Sequence, residues 1–222
     1  MVKAVIFDVD GTLIDTNDLH VASWAETFRR FGHAVAPEAV RGQTGKGSDQ
    51  LMPVFLPRDP VEQRGKEITA ARTALFLQDY VGHVRALPGV GPLFERLRSA
   101  GQRIVLATSA KGEELAPYRE ILGVDDLVDY ATTSDDAVHS KPAPDIFQAA
   151  LKRLARLAAK AVIAVGDPPN DAQAAGKAGL RTIGLLCGGV AEAVLREAGC
   201  TAIYRDPADL LALYGRSPLA QV

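Results

Sequence analysis

Residues 2–13 read VKAVIFDVDGTL, a short apolar and β-branched run that stops at two acidic residues and a glycine. Such a run, closed by Asp10-Gly11, predicts a buried strand that ends in a turn. Similar apolar runs recur after helix-length segments, at residues 103–107, 161–165 and 182–186. Strands that alternate with helices predict βαβ units. The sequence therefore predicts an α/β fold with a doubly wound, mostly parallel, Rossmann-like sheet.

The segment between the first and second predicted strands is much longer than the dozen or so residues that a βαβ crossover needs. Helical patterns fill it, at residues 18–31, 49–56 and 61–80. The excess length requires a unit of its own. We therefore predict a helical cap domain over residues 16–84, inserted into an α/β core domain made of residues 1–15 and 85–222.

Composition narrows the class of protein. The chain has 222 residues, 47% of them apolar, and a formal net charge of −2, which suits a globular domain but leaves no basic patch for nucleic acid or an anionic membrane. Cys187 and Cys200 have no metal-binding spacing. The first residues lack the pattern of a signal peptide. We expect a cytoplasmic protein that acts on a small molecule, with no nucleic-acid or membrane partner; the oligomeric state stays open.

A doubly wound sheet binds its ligands at the carboxyl ends of its strands, near the point where strand order reverses. Polar residues follow the predicted strands at these ends. These residues, together with those of one intervening loop, are Asp8, Asp10, Thr108, Ser109, Lys141, Asp167 and Asp171. Each has an ordinary explanation when taken singly: turn formers, helix caps or a solvated lysine. Their joint occurrence in this order favours a functional site.

The same segments resemble the four signature motifs of the haloacid dehalogenase-like (HAD) superfamily, in their order along the chain. The insertion after the first motif resembles the helical cap of the phosphoglycolate phosphatase and β-phosphoglucomutase-like branch. The resemblance implies a phosphatase that hydrolyses a small phosphorylated metabolite through an aspartyl-phosphate intermediate. The resemblance also implies Mg²⁺. The residues agree, because clustered carboxylates need a cation, and hard oxygen ligands without His or Cys favour magnesium.

The resemblance assigns a role to each motif residue. It places the metal on Asp8, Asp167 and the backbone carbonyl of Asp10. Asp8 would be the nucleophile, and Asp10 the general acid and base. The remaining roles are binding of the phosphoryl group by Thr108, Ser109 and Lys141, and orientation of the metal shell or of Lys141 by Asp171.

The predicted cap contributes two further candidates. In the resembling branch, a histidine at the place of His20 helps to position the acid and base aspartate; Trp24, one helical turn later, is expected to be cap core. The glycine-rich segment 42–48 resembles a cap loop that faces the active site, which would bring Lys46 to the substrate. A solvated turn explains that segment equally well. Pro168 departs from the family pattern, which often has Ser or Thr there.

Other functions remain possible at this stage. A phosphomutase would use the same core, but it usually carries an arginine in the cap loop, where this chain has Lys46. A 2-haloacid dehalogenase typically lacks the second aspartate, which is present here as Asp10. A non-catalytic binding protein would not need every catalytic group. We therefore rank phosphatase first and mutase second.

Overall fold

The computed structural model describes residues 1–154 and 157–220. Its strands are β1 Ala4–Phe7, β2 Ile14–Asp15, β3 Arg85–Ala86, β4 Arg103–Ala107, β5 Tyr130–Thr132, β6 Val162–Gly166, β7 Arg181–Leu185 and β8 Cys200–Tyr204. Its α-helices are α1 Asn17–Arg30, α2 Pro37–Arg41, α3 Ser48–Phe55, α4 Arg58–Leu75, α5 Val90–Ser99, α6 Gly112–Leu122, α7 Asp145–Arg153, α8 Pro169–Lys177, α9 Glu192–Glu197 and α10 Pro207–Ala212. A π-helical turn, Phe76–Tyr80, continues α4.

Six strands form one parallel sheet in the order β5-β4-β1-β6-β7-β8. The centre is β1, where Ile6 pairs with Val105 on one side and with Ala164 on the other. The chain thus builds outward from β1 in both directions, and strand order reverses there. The predicted α/β, doubly wound sheet is confirmed, and its ligand-binding edge lies at the carboxyl end of β1.

The hydrophobic pattern of β1 explains its central place. Val5 and Phe7 pack into an apolar cluster on one face of the sheet, and Ala4 and Ile6 pack into another on the opposite face. All four residues are fully buried. A strand covered on both faces carries a continuous apolar run instead of alternating polar and apolar residues, as this one does.

The sequence analysis did not identify the two edge strands. The edge strand β5 has only three residues. In the other edge strand, β8, only Cys200 is buried. Short strands with few buried apolar residues carry too little pattern to be distinguished from loops. Their addition extends the sheet without changing its predicted class.

Helices α1 to α4 pack around an apolar cluster of their own. Trp24 and Phe28 lie in it, with ring centroids 5.3 Å apart, so Trp24 is a core residue of these helices as expected. The antiparallel pair β2 and β3 brings the outgoing and returning chain side by side, with Asp15 opposite Arg85. The division into residues 16–84 and the remainder stays a prediction. Among the described helices, none combines the length and apolar character that a membrane crossing requires.

Candidate active site

The carboxyl edge of the sheet brings three buried aspartates together. Asp8 follows β1, Asp167 follows β6, and Asp171 lies in the first turn of α8. One carboxylate oxygen of each lies within 4.8 Å of the others. Parallel neighbouring strands place their ends side by side, which is why residues about 160 apart in sequence meet here. We call Asp8, Asp167 and Asp171 the carboxylate cluster.

Lys141 is the cation that the structure places against the carboxylate cluster. Its Nζ lies 2.6 Å from Asp8 Oδ1 and 2.8 Å from Asp171 Oδ1, and it donates to the carbonyl of Ala107 at 3.0 Å. Burial opposes its charge, but Asp171 and Asp8 more than compensate and raise the pKa of Lys141. One ammonium group therefore faces three carboxylates.

The charge imbalance appears in the protonation of the aspartates. Burial and the neighbouring Asp171 raise the pKa of Asp8 well above its ordinary value, although Lys141 acts to lower it. Burial also raises the pKa of Asp171, although Lys141, 2.8 Å from its Oδ1, acts to lower it, and within the described part of the chain its Oδ2 accepts no hydrogen bond. Buried oxygens of this kind are suited to a hard cation.

Asp167 is held in place by hydrogen bonds and by close backbone approach. Thr12 Oγ1 donates to its Oδ1 at 2.7 Å, and Asn17 Nδ2 donates to its Oδ2 at 3.2 Å. Burial and Asp171 nevertheless raise the pKa of Asp167 to about 7. A Cβ at Gly188 would lie 1.8 Å from Asp167 Oδ2, so only glycine permits this carboxylate position.

Gly166 leaves room for the carboxylate of Asp171, as Gly188 does for that of Asp167. A Cβ at Gly166 would lie 2.0 Å from Asp171 Oδ2. The last residue of β6 must therefore lack a side chain if the first turn of α8 is to present this carboxylate to the cluster. Two glycines thus determine how closely Asp167 and Asp171 approach the backbone.

Asp10 is only two residues from Asp8, but its surroundings are different. His20 Nε2 lies 2.6 Å from Asp10 Oδ1, Thr16 Oγ1 donates to the same oxygen at 2.9 Å, and Thr108 Oγ1 donates to Oδ2 at 3.2 Å. Although burial acts to raise it, His20 and Thr16 bring the pKa of Asp10 down to about 2. Asp10 is thus held as an ionised acceptor.

Two residues extend the contacts of Asp10 into the helices. Arg72 of α4 contacts His20 Nδ1 through one guanidinium nitrogen and donates to Glu114 of α6 through another. Arg72 and Glu114 are both buried. We call Asp10, His20, Arg72 and Glu114 the Asp10 network.

A cleft of about 910 Å³ opens between the α1–α4 helices and the sheet edge. Asp8, Asp10, His20, Lys46 and Ser109 all line it. The side chain of Lys46 also donates to Gln43 Oε1 at 2.5 Å. The segment that carries Lys46 therefore faces the cleft. Its sequence had allowed either this position or a solvated turn.

Two glycines let that segment approach the sheet edge. A Cβ at Gly45 would lie 2.5 Å from Pro168, and a Cβ at Gly47 would lie 2.5 Å from the Cβ of Ser140. Gly45 also has a φ of 82°, a backbone conformation that glycine adopts readily. Pro168, which departs from the family pattern, thus forms the surface against which the loop packs.

Comparison with known proteins agrees with this geometry. The family model of haloacid dehalogenase-like hydrolases matches residues 2–179. The chain belongs to the haloacid dehalogenase-like hydrolase family. The match covers the predicted cap and all four motifs, so it confirms the resemblance drawn from those motifs and the prediction that the chain is an enzyme of the hydrolase class.

Individual relatives of this HAD-like hydrolase match over most of their length. Protein CbbY of Cupriavidus necator is 34% identical over 196 residues, which cover 82% of this chain and 77% of the relative. The phosphorylated carbohydrates phosphatase of Thermotoga maritima is 25% identical over 214 residues, covering 94% and 96%. The crystal structure of a hydrolase from Pseudomonas syringae superimposes with a TM-score of 0.87 at 26% identity, covering 96% and 98%.

The structure of the HAD-like hydrolase assembles the residues that the motifs predicted. Asp8, Asp10, Asp167, Asp171 and Lys141 lie together at the sheet edge. Asp171 lies 2.8 Å from Lys141 Nζ, and one of its oxygens also belongs to the carboxylate cluster. The predicted catalytic and metal-binding roles of these residues stay predictions.

Asn17, Arg72 and Glu114 are among the residues of the HAD-like hydrolase site that the sequence analysis missed. Asn17 contacts Asp167, and Arg72 and Glu114 complete the Asp10 network. Arg72 and Glu114 lie in helices rich in charged residues, where nothing in the sequence distinguishes a buried charge from an exposed one. The buried hydroxyl of Thr108 donates to Asp10 in the structure, and its predicted contact with substrate stays a prediction.

Proposed function

We propose that the chain is a Mg²⁺-dependent phosphatase that hydrolyses a small phosphate monoester through an aspartyl-phosphate on Asp8. The observation that carries this proposal is the carboxylate cluster, in which three buried carboxylates face the single ammonium of Lys141. Such a site keeps its carboxylates ionised only when a further cation is bound. Phosphate esters commonly enter sites of this kind together with Mg²⁺.

The residues present fit a magnesium ion. Asp8 and Asp167 supply carboxylate oxygens, and the backbone carbonyl of Asp10 is the third ligand that we assign. Mg²⁺ prefers such hard oxygen ligands and keeps several waters, so few protein ligands are required. When bound, the ion neutralises charge on the carboxylates and on the phosphoryl oxygens.

The first chemical step that we assign is attack of an Asp8 carboxylate oxygen on phosphorus. The new bond joins Asp8 to phosphorus as the bond from phosphorus to the leaving oxygen breaks, and Asp10 gives its proton to that oxygen. Lys141, 2.6 Å from Asp8, orients the nucleophile and offsets the charge of the transferred group.

The second step releases phosphate. A water molecule attacks phosphorus, Asp10 accepts its proton, and the bond to Asp8 breaks, which restores the free carboxylate. The pKa of Asp10, about 2, keeps this carboxylate ionised and so able to accept a proton. The acid role requires Asp10 to enter the first step protonated, with the substrate in place.

The cleft supports a small, polar substrate. Ser109 and Lys46 line it together with Asp8 and supply polar contacts for a phosphorylated metabolite. One relative is named for phosphorylated carbohydrates, and we propose the same broad class here. Lys46 supplies a single point charge where a bidentate arginine would suit a second phosphate, so hydrolysis is favoured over mutase chemistry.

A metabolite screen tests the proposal. The purified protein is assayed with phosphorylated metabolites, including 2-phosphoglycolate and sugar phosphates, and both free phosphate and isomer formation are measured. We expect phosphate release with Mg²⁺, none after chelation, and inhibition by Ca²⁺, whose larger and looser shell would misplace the nucleophile. Full activity in metal-free buffer would contradict the metal requirement. Predominant isomer formation would favour a mutase.

A further inference from the structure

Arg72 is an unusual residue for a helix that otherwise exposes its charges. Its side chain is only 7% exposed, and its partner Glu114 is 3% exposed. Arg72 belongs to α4 and Glu114 to α6, so the ion pair joins the cleft-covering helices to the sheet domain. Buried ion pairs contribute little net stability, because removing two charges from water is costly. A contribution to stability therefore does not by itself explain why Arg72 and Glu114 are buried.

The other contacts of Arg72 point toward the chemistry. A guanidinium group only donates hydrogen bonds and does not lose its proton in proteins. Its contact with His20 Nδ1 therefore requires Nδ1 to be an acceptor. The proton of neutral His20 then lies on Nε2, the atom that is 2.6 Å from Asp10 Oδ1. Arg72 thus selects the histidine tautomer that donates to Asp10.

Aromatic side chains pack against both His20 and Arg72. The His20 ring stacks on Phe76, with centroids 4.6 Å apart and an interplanar angle of 20°. The Arg72 guanidinium lies 4.8 Å from the centroid of the Phe76 ring and 5.5 Å from that of Trp24. The histidine and the guanidinium thus share one aromatic surface, and Glu114 holds the guanidinium from the opposite domain.

We propose that Glu114 is a positioning residue for the reaction, acting through Arg72 and His20 on Asp10. Glu114 orients the guanidinium, the guanidinium sets the His20 tautomer, and His20 aims the Asp10 carboxyl at the leaving oxygen. This inference rests on the proposed function, in which Asp10 is the general acid and base. It also means that the Asp10 network is complete only when α4 is seated against α6.

A comparison of two substrates tests the proposal. Glu114→Gln keeps the shape of the side chain and removes its charge; Glu120→Gln, at an exposed site on the same helix, is the matched control. A sugar phosphate needs a positioned acid, whereas p-nitrophenyl phosphate does not. We expect Glu114→Gln to lower kcat/KM, which covers only the steps through departure of the leaving group, by about 10- to 100-fold on the sugar phosphate and by less than about threefold on p-nitrophenyl phosphate. The control should change neither.

The ratio of the two losses is informative even if the variant folds poorly. Unfolded protein lowers the rate on both substrates by the same factor, so it cannot produce a difference between them. Equal losses on the two substrates would overturn the inference. Arg72→Lys, which keeps the charge but lacks the fork needed to reach both Glu114 and His20, should reproduce the difference.

A spectroscopic measurement tests the contact between Arg72 and His20, which lies in the middle of the proposed route from Glu114 to Asp10. ¹⁵N NMR of the His20 ring in the wild-type protein should show the Nε2-protonated tautomer, and Glu114→Gln should give a mixture of tautomers. An unchanged tautomer in Glu114→Gln would contradict the proposed route.

The proposed function and this inference fail in different ways. Unimpaired activity of Asp8→Asn would overturn the function. If Asp10→Asn showed the substrate difference and Glu114→Gln did not, only the inference would be lost.

Discussion

Asp8 and Asp10 are separated by one residue, yet they belong to two regions with opposite electrostatics. Asp8 lies in the carboxylate cluster, where burial and like charges raise the pKa of each aspartate. Asp10 lies in a network with an arginine and a histidine, and its pKa falls to about 2. Residues i and i+2 of a regular strand lie on the same face, but β1 ends at Phe7, so Asp8 and Asp10 lie outside the strand and reach different regions.

The difference suggests a division of labour between the two regions. The carboxylate cluster has an excess of negative charge, so it is suited to hold a cation and a phosphoryl group. The Asp10 network joins its two carboxylates through a guanidinium and a histidine, so it is suited to orient one carboxyl group. The first region comes from the sheet edge alone, whereas the second needs α1, α4 and α6 together.

Removal of the nucleophile should have the largest effect. Asp8→Asn keeps the size of the side chain but removes the attacking charge, and we expect kcat to fall on the order of 10⁴-fold or more. The fold should persist, because the substitution relieves repulsion within the carboxylate cluster; circular dichroism and thermal unfolding check this. Near-normal phosphatase activity in the purified variant would remove Asp8 from the nucleophile role.

Asp10→Asn should have a smaller effect that depends on substrate. We expect a loss of about 10²- to 10⁴-fold on a sugar phosphate, whose alkoxide leaving group needs a proton, and a clearly smaller loss on p-nitrophenyl phosphate. Steady-state kcat/KM on both substrates measures the difference, because it excludes the breakdown of the aspartyl-phosphate that both substrates share. If the losses were the same, Asp10 would not be the general acid, and the contrast between the two regions would lose its chemical meaning.

The pH dependence of stability should separate the regions without any substrate. In the metal-free protein, the pKa of Asp167 is raised from 3.8 to about 7, so the folded state binds a proton that the unfolded chain has lost. The free energy of unfolding should therefore fall as pH rises from about 4 to about 7, by at most about 4 kcal/mol. Asp10 acts in the opposite sense: its contribution is present above about pH 4 and is lost as pH falls toward 2.

Urea unfolding at several pH values measures this dependence. Asp167→Asn should flatten the decline between pH 4 and 7, whereas Asp126→Asn, at an exposed position, should leave it unchanged. Saturating Mg²⁺ should also oppose the decline, because an ion that binds only the folded state stabilises it. An unchanged decline in Asp167→Asn would show that Asp167 is not its source.

The smallest effect is expected at the outer part of the cleft. Lys46→Ala removes one cation from the loop that lines the cleft, and we expect KM for the best substrate to rise about fivefold with kcat nearly unchanged. Lys66→Ala, at an exposed site of α4, is the control. A large loss of kcat with unchanged KM would instead connect Lys46 to one of the two catalytic regions.

The carboxylate cluster could be predicted from the sequence almost completely. Its members follow apolar runs that are recognisable as strands, and parallel strands must bring their carboxyl ends to one edge. Asp8, Asp167, Asp171 and Lys141 therefore converge for reasons that local pattern and topology already contain. The contact of Asn17 with Asp167 was not predictable in this way, because it depends on how α1 leaves the sheet edge.

The Asp10 network was decided by tertiary structure. His20 was a candidate only through the family resemblance, and Arg72 and Glu114 were not candidates at all. These two residues are 42 positions apart on different helices, and each helix has several similar charged residues. The periodicity of a helix shows which face is apolar, but the crossing of two helices decides which charge is buried. Because burial and pairing depend on that crossing, the local sequence carries no record of the Arg72–Glu114 contact.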